Sequence, residues 1–384
     1  MSSGDQPLNV VIIGAGLAGL LAARVLREKH NVTIYERTST AQEAGAAINI
    51  GPNGVYNKEG TLTLDKRTDY AAQYGADWLF HHRTDLRAEF LRLATTNDKD
   101  SGIPGPPAKI HWNVSVASVD VEEGRVVLDS GEEVVADLVV AADGIKSVIR
   151  HLVVGDAAYT SARPSGLSAF RFTLKASLVV KQLERPPKIL DPNNPACLSM
   201  VYSFDGTMRS VVMYPCRNFE LLNFVAIVPD KSLQQPTTES WTAAGDREEL
   251  LSLFQDFPNW VLEYLNMATD IKLWQLRDQD PLPTYIKGRV VLIGDAAHAM
   301  TPHQGQGGTQ AVEDAEGFRL FLQTGINRSS VCEVLKDFDG VRRPRASQIQ
   351  NNTRKSHDKR SAEEVYMFEK INWTYHGVIE SLQK

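Results

Sequence analysis

The stretch "LNVVIIGAGLAGLLAARVLREKHNVTIYER", residues 8–37, restricts this chain more than any other part of it. An apolar run at about Asn9–Ile13 predicts a buried strand. A helix follows from Leu17 to about Lys29, then a second strand at Val32–Tyr35. Gly14, Gly16 and Gly19 stand in GxGxxG spacing in the strand-to-helix turn. The first permits the tight turn, the second lets a pyrophosphate approach the backbone, and the third lets helix and strand pack closely. The helix start then offers unpaired N–H groups to phosphates. Glu36 ends the second strand, where a carboxylate can accept hydrogen bonds from ribose hydroxyls, and Arg37 follows it. Strand, turn, helix, strand and acid in this order predict dinucleotide binding. They leave open whether the dinucleotide carries a flavin or a nicotinamide.

The same run from Val10 to Leu26 is not read as a membrane span or signal. Three glycines interrupt it, no basic segment precedes it, and a bilayer needs roughly 20 apolar residues. A net charge of -6 argues against non-specific nucleic-acid binding, because no overall positive field draws phosphates in. Cys197, Cys216 and Cys332 lie far apart and form no CxxC pair. That suits a reducing, cytoplasmic setting and offers neither a disulfide framework nor a zinc site.

Further along, "HRTDLRAEFLRLA" (82–94) reads as an amphipathic helix entered just after Arg83. Strand-like segments then run to "ADLVVAADG", which ends in Asp143-Gly144. From Ser168 the runs "LSAFRFTL", "CLSMVYSF", "MRSVVMYP" and "LLNFVAIVP" predict an antiparallel sheet, with a hairpin at Asp205-Gly206. Residues 246–267 read as helical, and "RVVLIGD" returns the chain to a parallel-sheet pattern. The expected fold is α/β: a Rossmann-like dinucleotide domain (1–165, returning at 285–340), an inserted antiparallel β-sheet substrate lobe (166–284) and a C-terminal helical segment (341–384). The basic run "RRPRASQIQNNTRKSHDKR" is expected to form a solvated helix face.

The segment "GDAAHAMTPHQGQGG" (294–308) joins the returning strand to a helix. A metal site is a poor reading of it. His298 and His303 are five residues apart, with no thiolate or further histidine nearby, whereas zinc takes three or four protein ligands. Asp143 and Asp295 both follow apolar strands, and in open α/β sheets ligands collect at such edges.

Taken together, "GAGLAGLLAARVL...YER", "ADGIKSVIR" and "GDAAHAMTPHQGQGGTQAVEDA" resemble the three fingerprints of class A flavoprotein aromatic hydroxylases, in particular the salicylate hydroxylase-like branch. The resemblance covers nearly the whole chain. It implies FAD as cofactor, with Gly14, Gly16 and Gly19 on the pyrophosphate and Glu36, with Arg37 beside it, at the adenosine ribose. It further implies Arg83 in FAD binding, Asp295 on the ribityl chain, and Gly307 and Gly308 where a helix start meets the flavin pyrimidine edge. Asp143 and Gly144 fall in a turn shared between cofactor binding and NAD(P)H use. Pro302 is expected to hold the loop rigid beside the ring, and His298 to pack it.

Arg171, in "SGLSAFRFTL", matches the segment that carries an active-site arginine in fungal relatives. It is the first candidate to orient an anionic or phenolic substrate, with His303 and Tyr214 behind it. The implied reaction uses NAD(P)H transiently, adds O2 to reduced flavin as a C4a-hydroperoxide, and hydroxylates an electron-rich aromatic small molecule. A flavin reductase or halogenase is the alternative chemistry. An impaired flavoprotein is the third reading, because the segment 55–78 looks shortened. The substrate, the choice of NADH or NADPH, and the oligomeric state stay open.

Overall fold

A computed structural model describes residues 6–39, 47–48, 54–65, 70–75, 79–97, 102–191, 198–237, 243–355 and 362–383. The chain divides into two compact units. The first comprises Met1–Gln42, Asp85–Arg163 and Asp278–Lys384; the second comprises Glu43–Thr84 and Pro164–Arg277.

The first unit is built on a six-stranded sheet. Its spatial order is Ile286–Lys287, Val290–Leu292, Leu138–Ala141, Asn9–Ile13, Asn31–Glu36 and Lys109–Trp112. Every pairing is parallel except the hairpin between Ile286–Lys287 and Val290–Leu292. The central strands are near-continuous apolar runs because both faces are covered. Val10, Ile12, Leu138 and Val140 pack with Leu20, Ala23 and Leu26 of the Leu17–Leu26 helix and with Phe318 and Phe338. Val11, Ile13, Val139 and Leu292 enter a second core with Tyr285 and Ala346. A small antiparallel sheet of Val116–Asp120, Arg125–Leu128 and Glu133–Val135 completes this unit's strands among the described residues.

The first helix stops at Leu26, one turn before the predicted Lys29. Arg27, almost wholly buried, donates instead to the carbonyls of Leu93, Ala94, Thr96, Gly105 and Pro106 and ties the following loops down. The Arg83–Thr95 helix begins at Arg83 itself.

The second unit holds a seven-stranded sheet in the order Lys272–Asp278, Arg163–Lys175, Leu221–Pro229, Ser210–Cys216, Ser199–Tyr202, Gly54–Asn57 and Leu62–Asp65. The predicted antiparallel pairings form, and three further strands join them: Lys272–Asp278 at one edge, and at the other Gly54–Asn57, parallel to Ser199–Tyr202, followed by Leu62–Asp65. The segment read from sequence as shortened therefore supplies two strands to this sheet. This is also why residues 43–84, expected within the first domain, cluster with the second unit. The helical stretch 246–267 is two helices, Arg247–Leu253 and Asn259–Asn266. The first is capped by Asp246, whose carboxylate accepts the Glu249 N–H at 2.7 Å. They pack with Phe170, Phe172 and Phe224 on one sheet face.

The expectation of a solvated basic face fails. The basic run from Arg342 lies in the Val331–Arg354 helix, but part of it faces inward: Arg342 is fully buried, and Ala346, Ile349, Gln350 and Thr353 follow on the same helical stripe. Burial of the arginine is sustained by acids on the Gln306–Gly317 helix, Glu313 at 2.5 Å and Asp314 at 3.0 Å. The C-terminal segment, expected as a separate piece, belongs to the first unit, tied in through Arg342 and through the Gln350 amide, which donates to Gln279 O and Ala299 O.

Candidate active site

In the first unit the strand ends gather the three motif turns. Gly14 donates its N–H to Tyr35 O at 2.8 Å, Ala142 N–H reaches Ile13 O, and Ile293 N–H reaches Ala141 O. Gly14, Asp143 and Gly294 are thereby set side by side at one sheet edge. The three glycines of the first turn have different reasons to be glycine. At Gly14, with φ +102°, a methyl group would meet Ala142 O at 2.5 Å and Asp143 Cα at 3.3 Å. At Gly19 it would meet Gly14 O at 2.1 Å. At Gly16, φ is -76° and no atom of the described residues lies within 4 Å of the added methyl group. Packing within the protein dictates the first and third; the second faces open space at the start of a helix that lacks a side-chain cap.

Glu36 is held at this turn. Its Oε2 accepts the Ala15 N–H at 2.7 Å and its Oε1 accepts from Thr38, leaving lone pairs for further donors. Arg37 is exposed. Arg87, unremarked in the sequence reading, is buried, donates to Ala15 O at 3.0 Å and lies 5.8 Å over the Trp112 ring.

A buried arginine stiffens the other two turns. Arg150, seven residues after Asp143, donates Nε to Ala296 O at 2.7 Å and Nη2 to Asp295 O at 2.9 Å, and also reaches Gly144 O and Ile145 O. It thus pins the Asp143-Gly144 turn to the Asp295 turn. Asp143 itself is partly covered, yet its Oδ1 is shielded and without a hydrogen-bond partner among the described residues, while Oδ2 accepts the Val148 N–H at 2.8 Å. Burial raises its pKa despite the Ser147 and Val148 hydrogen bonds.

The segment 294–308 is more ordered than the glycine-rich loop predicted. Gly294 at φ +57° leads into a one-turn helix, Asp295–His298; a 3-10 turn at Pro302–Gln304 and Gly305 at φ +64° precede the Gln306–Gly317 helix. That helix also starts without a side-chain cap, and a methyl group at Gly307 would meet nothing within 4 Å. Gln306 is buried with both amide atoms lacking hydrogen-bond partners among the described residues. Gly308 lies in the same first turn, and Pro302 and His303 are half-buried in the 3-10 turn before it. Asp295 is half-buried at the head of its helix.

His298 packs as expected, fully buried, with Nε2 2.6 Å from Asp314 Oδ2, which also accepts the Gly294 N–H at 2.9 Å. Burial pushes the Asp314 pKa up, but the charges of His298 and Arg342 bring it below its ordinary value. Sequence reading missed Asp314 and Arg342 as a pair because they lie 28 residues apart on different helices.

In the second unit the strand register sorts the remaining candidates. Arg171 lies opposite Val225, which lies opposite Val212; Tyr214 follows two residues on, so Arg171 and Tyr214 share one sheet face. Trp274 packs on that face with Ala169 and Val225. The Arg171 guanidinium lies 3.7 Å over the Trp274 ring, and its shielded Nε has no hydrogen-bond partner among the described residues. Burial pulls its pKa down to about 9, with Tyr214 opposing and the like charge of Arg83 assisting, so it remains a cation at neutral pH. Arg83, implied as a cofactor residue, is thus electrostatically coupled to Arg171. Tyr214 is buried against Phe80, 5.4 Å between ring centres.

Gly16, Gly307 and the Gln306 amide fit a phosphate-bearing, ring-bearing cofactor: each leaves space or hydrogen-bonding capacity that the described residues do not fill. Among the described residues no cluster of His, Cys, Asp and Glu suits a metal, and no helix is long and apolar enough to cross a membrane.

Comparison with known proteins gives the same direction. Residues 107–353 match the family described as FAD binding domain, and residues 12–92 match an NAD(P)-binding Rossmann-like domain. Hispidin-3-hydroxylase of Neonothopanus nambi is 34% identical, spanning 90% of this chain and 87% of that protein. A salicylate hydroxylase of Pseudomonas putida is 30% identical over 92% and 86%. The solved salicylate hydroxylase substrate complex superposes with a TM-score of 0.72 at 25% identity, covering 98% of this chain and 97% of the other.

Proposed function

This chain belongs to the FAD-dependent monooxygenases that hydroxylate electron-rich aromatic compounds, and from that premise we propose that its substrate is a small aromatic bearing a phenolate or carboxylate held by Arg171. FAD, when bound, supplies electron transfer from NAD(P)H and insertion of one oxygen atom from O2.

Each proposed contribution of the chain follows from its own chemistry. Gly16 and the helix start behind it admit and bind the pyrophosphate through backbone N–H groups. Glu36 and Asp295 offer carboxylate oxygens to hydroxyl groups of the cofactor. The uncapped start of the Gln306–Gly317 helix, with Gly307 and Gly308 in its first turn, presents donors where negative charge gathers on a reduced ring. Pro302 and His303 form the 3-10 turn before it.

The observation that carries the substrate assignment is the half-buried Arg171 guanidinium stacked on Trp274, its shielded Nε donor unfilled among the described residues. A shielded charged donor is costly without an acceptor beside it. An aromatic anion satisfies both features, bonding the guanidinium while its ring meets Tyr214 and Trp274. Holding the ring in one place keeps the oxygen transfer productive rather than releasing peroxide.

The test is Arg171→Met assayed with NAD(P)H, O2 and a panel of phenols, aromatic acids and neutral indoles. KM for the anionic or phenolic substrates should rise at least about tenfold, the loss of one charge-assisted hydrogen bond. Hydrogen peroxide should replace hydroxylated product, with FAD binding unchanged. An unaltered KM for every acid and phenol turned over refutes the assignment.

A further inference from the structure

The last residues of the chain fold back onto the helix behind the cofactor turn. Tyr375 Oη donates to Glu316 Oε2 at 2.9 Å, and the same oxygen accepts the Val378 N–H at 2.9 Å. Between them Gly377 adopts φ +97°, where an added methyl group would sit 2.9 Å from Glu316 Oε1. The Tyr375 ring lies beneath two guanidiniums, with Arg342 at 5.3 Å and Arg345 at 4.9 Å from its centre. Arg345 grips Glu313 through two nitrogens, at 2.7 and 2.8 Å, and donates to Ile371 O at 2.8 Å. Arg342 spans Glu313, Gln310 and Asp314.

The decisive atom pair is on Asp314. Its Oδ1 is held by Arg342, and its Oδ2 holds the Gly294 N–H and His298. A single carboxylate therefore joins Arg342, which lies over the Tyr375 ring, to the turn that carries Asp295. Because all these groups are buried, a shift of Arg342 is not absorbed by solvent; Asp314 must follow it or lose its partner.

We propose that Tyr375 is a positioning residue for the cofactor turn, acting through Arg342 and Asp314 on Gly294–Asp295, so that the C-terminal return sets how tightly and in what environment FAD is held. This rests on the reading that the Asp295 turn contacts FAD. The ring face fixes the two guanidiniums by cation–π attraction, and the hydroxyl fixes the ring by its bond to Glu316. Phe318 and Phe338 pack together independently of Tyr375, so loosening the return leaves the apoprotein folded.

The experiment titrates FAD into the apoprotein of Tyr375→Leu, Tyr375→Phe, Gly377→Ala and Asp295→Ala, following flavin fluorescence and the visible bands of the bound flavin. The thermal midpoint of each apoprotein serves as the folding control. Tyr375→Leu should weaken FAD binding about tenfold and shift the visible bands, as losing two cation–π contacts implies. Tyr375→Phe, which keeps the ring face, should recover most of the affinity. Gly377→Ala pries the return away from Glu316 without touching the arginines and should reproduce the Tyr375→Leu loss, which keeps the test decisive even if the leucine variant fails to fold. Wild-type affinity and spectrum in Tyr375→Leu or Gly377→Ala, with Asp295→Ala impaired, overturn the proposal. Wild-type affinity in Asp295→Ala overturns the underlying placement of FAD instead.

Discussion

Substituting alanine at each of the three glycines of the first turn separates what the fold needs from what the cofactor needs. At Gly14 the added methyl group meets backbone atoms at 2.5 and 3.0 Å in a left-handed conformation, and neither obstacle can rotate away. The conformational penalty and the overpacking together cost roughly 2–5 kcal/mol. Gly19→Ala meets Gly14 O at 2.1 Å and should lose roughly 1–3 kcal/mol, partly offset by better helix propensity. Gly16→Ala has φ -76° and an empty surround, so stability of the apoprotein should be unchanged or higher by about 0.4–1 kcal/mol, through a less flexible unfolded chain. Yet the same methyl group stands where the pyrophosphate must approach. Losing one charge-assisted backbone hydrogen bond, worth about 1.5–3 kcal/mol, weakens FAD roughly ten- to a hundredfold. Urea unfolding of the three apoproteins and flavin titration supply both axes. If Gly16→Ala destabilises the apoprotein as Gly14→Ala does, or binds FAD like the wild type, the assignment of that space to a phosphate is wrong.

Gly307→Ala repeats this logic at the second helix start: helix propensity should stabilise the apoprotein by up to about 1 kcal/mol while flavin affinity falls, measured by the same pair of assays. Asp143 has a folded pKa raised by burial, so its favourable contribution is full below the unfolded value near 4 and is lost as pH rises through the folded one. Asp143→Asn should therefore stabilise the apoprotein at pH 7.5 relative to its effect at pH 4, and urea midpoints showing no such difference between the two pH values contradict the argument. Asp314→Asn breaks a fully buried ion pair and should cost about 3–5 kcal/mol in urea unfolding. Removing Arg342 as well, as Met, should recover part of that loss.

The strand–turn–helix–strand unit from Asn9 to Glu36, and the places of Asp143 and Asp295 just after buried strands, were legible because their logic is local. An apolar run, a glycine turn and a helix start occupy consecutive positions, and strand edges gather ligands whatever the rest of the chain does. Arg171 and Tyr214 could be named from sequence, but their shared face depends on a register running across three strands, and Trp274 reaches that face from a fourth. The run beginning at Arg342 misled for a related reason. A string of basic residues implies solvent only while its acidic partners are unknown, and here they stand on another helix, at Glu313 and Asp314. Arg87 and Arg150 lay within segments already singled out. Their signal was burial, four residues after Arg83 and seven after Asp143, which spacing alone does not disclose.

The parallel pairing of Gly54–Asn57 with Ser199–Tyr202 bears on how the protein is made. A ribosome adding about 5–20 residues per second delivers the later strand roughly 7–29 s after the earlier one. Through that interval the nascent hairpin carries an unzipped edge capable of pairing with a neighbouring polypeptide. Slow translation or dense polysomes should thus favour intermolecular tangles at this strand, and holdase chaperones that shield it should raise the recovered yield.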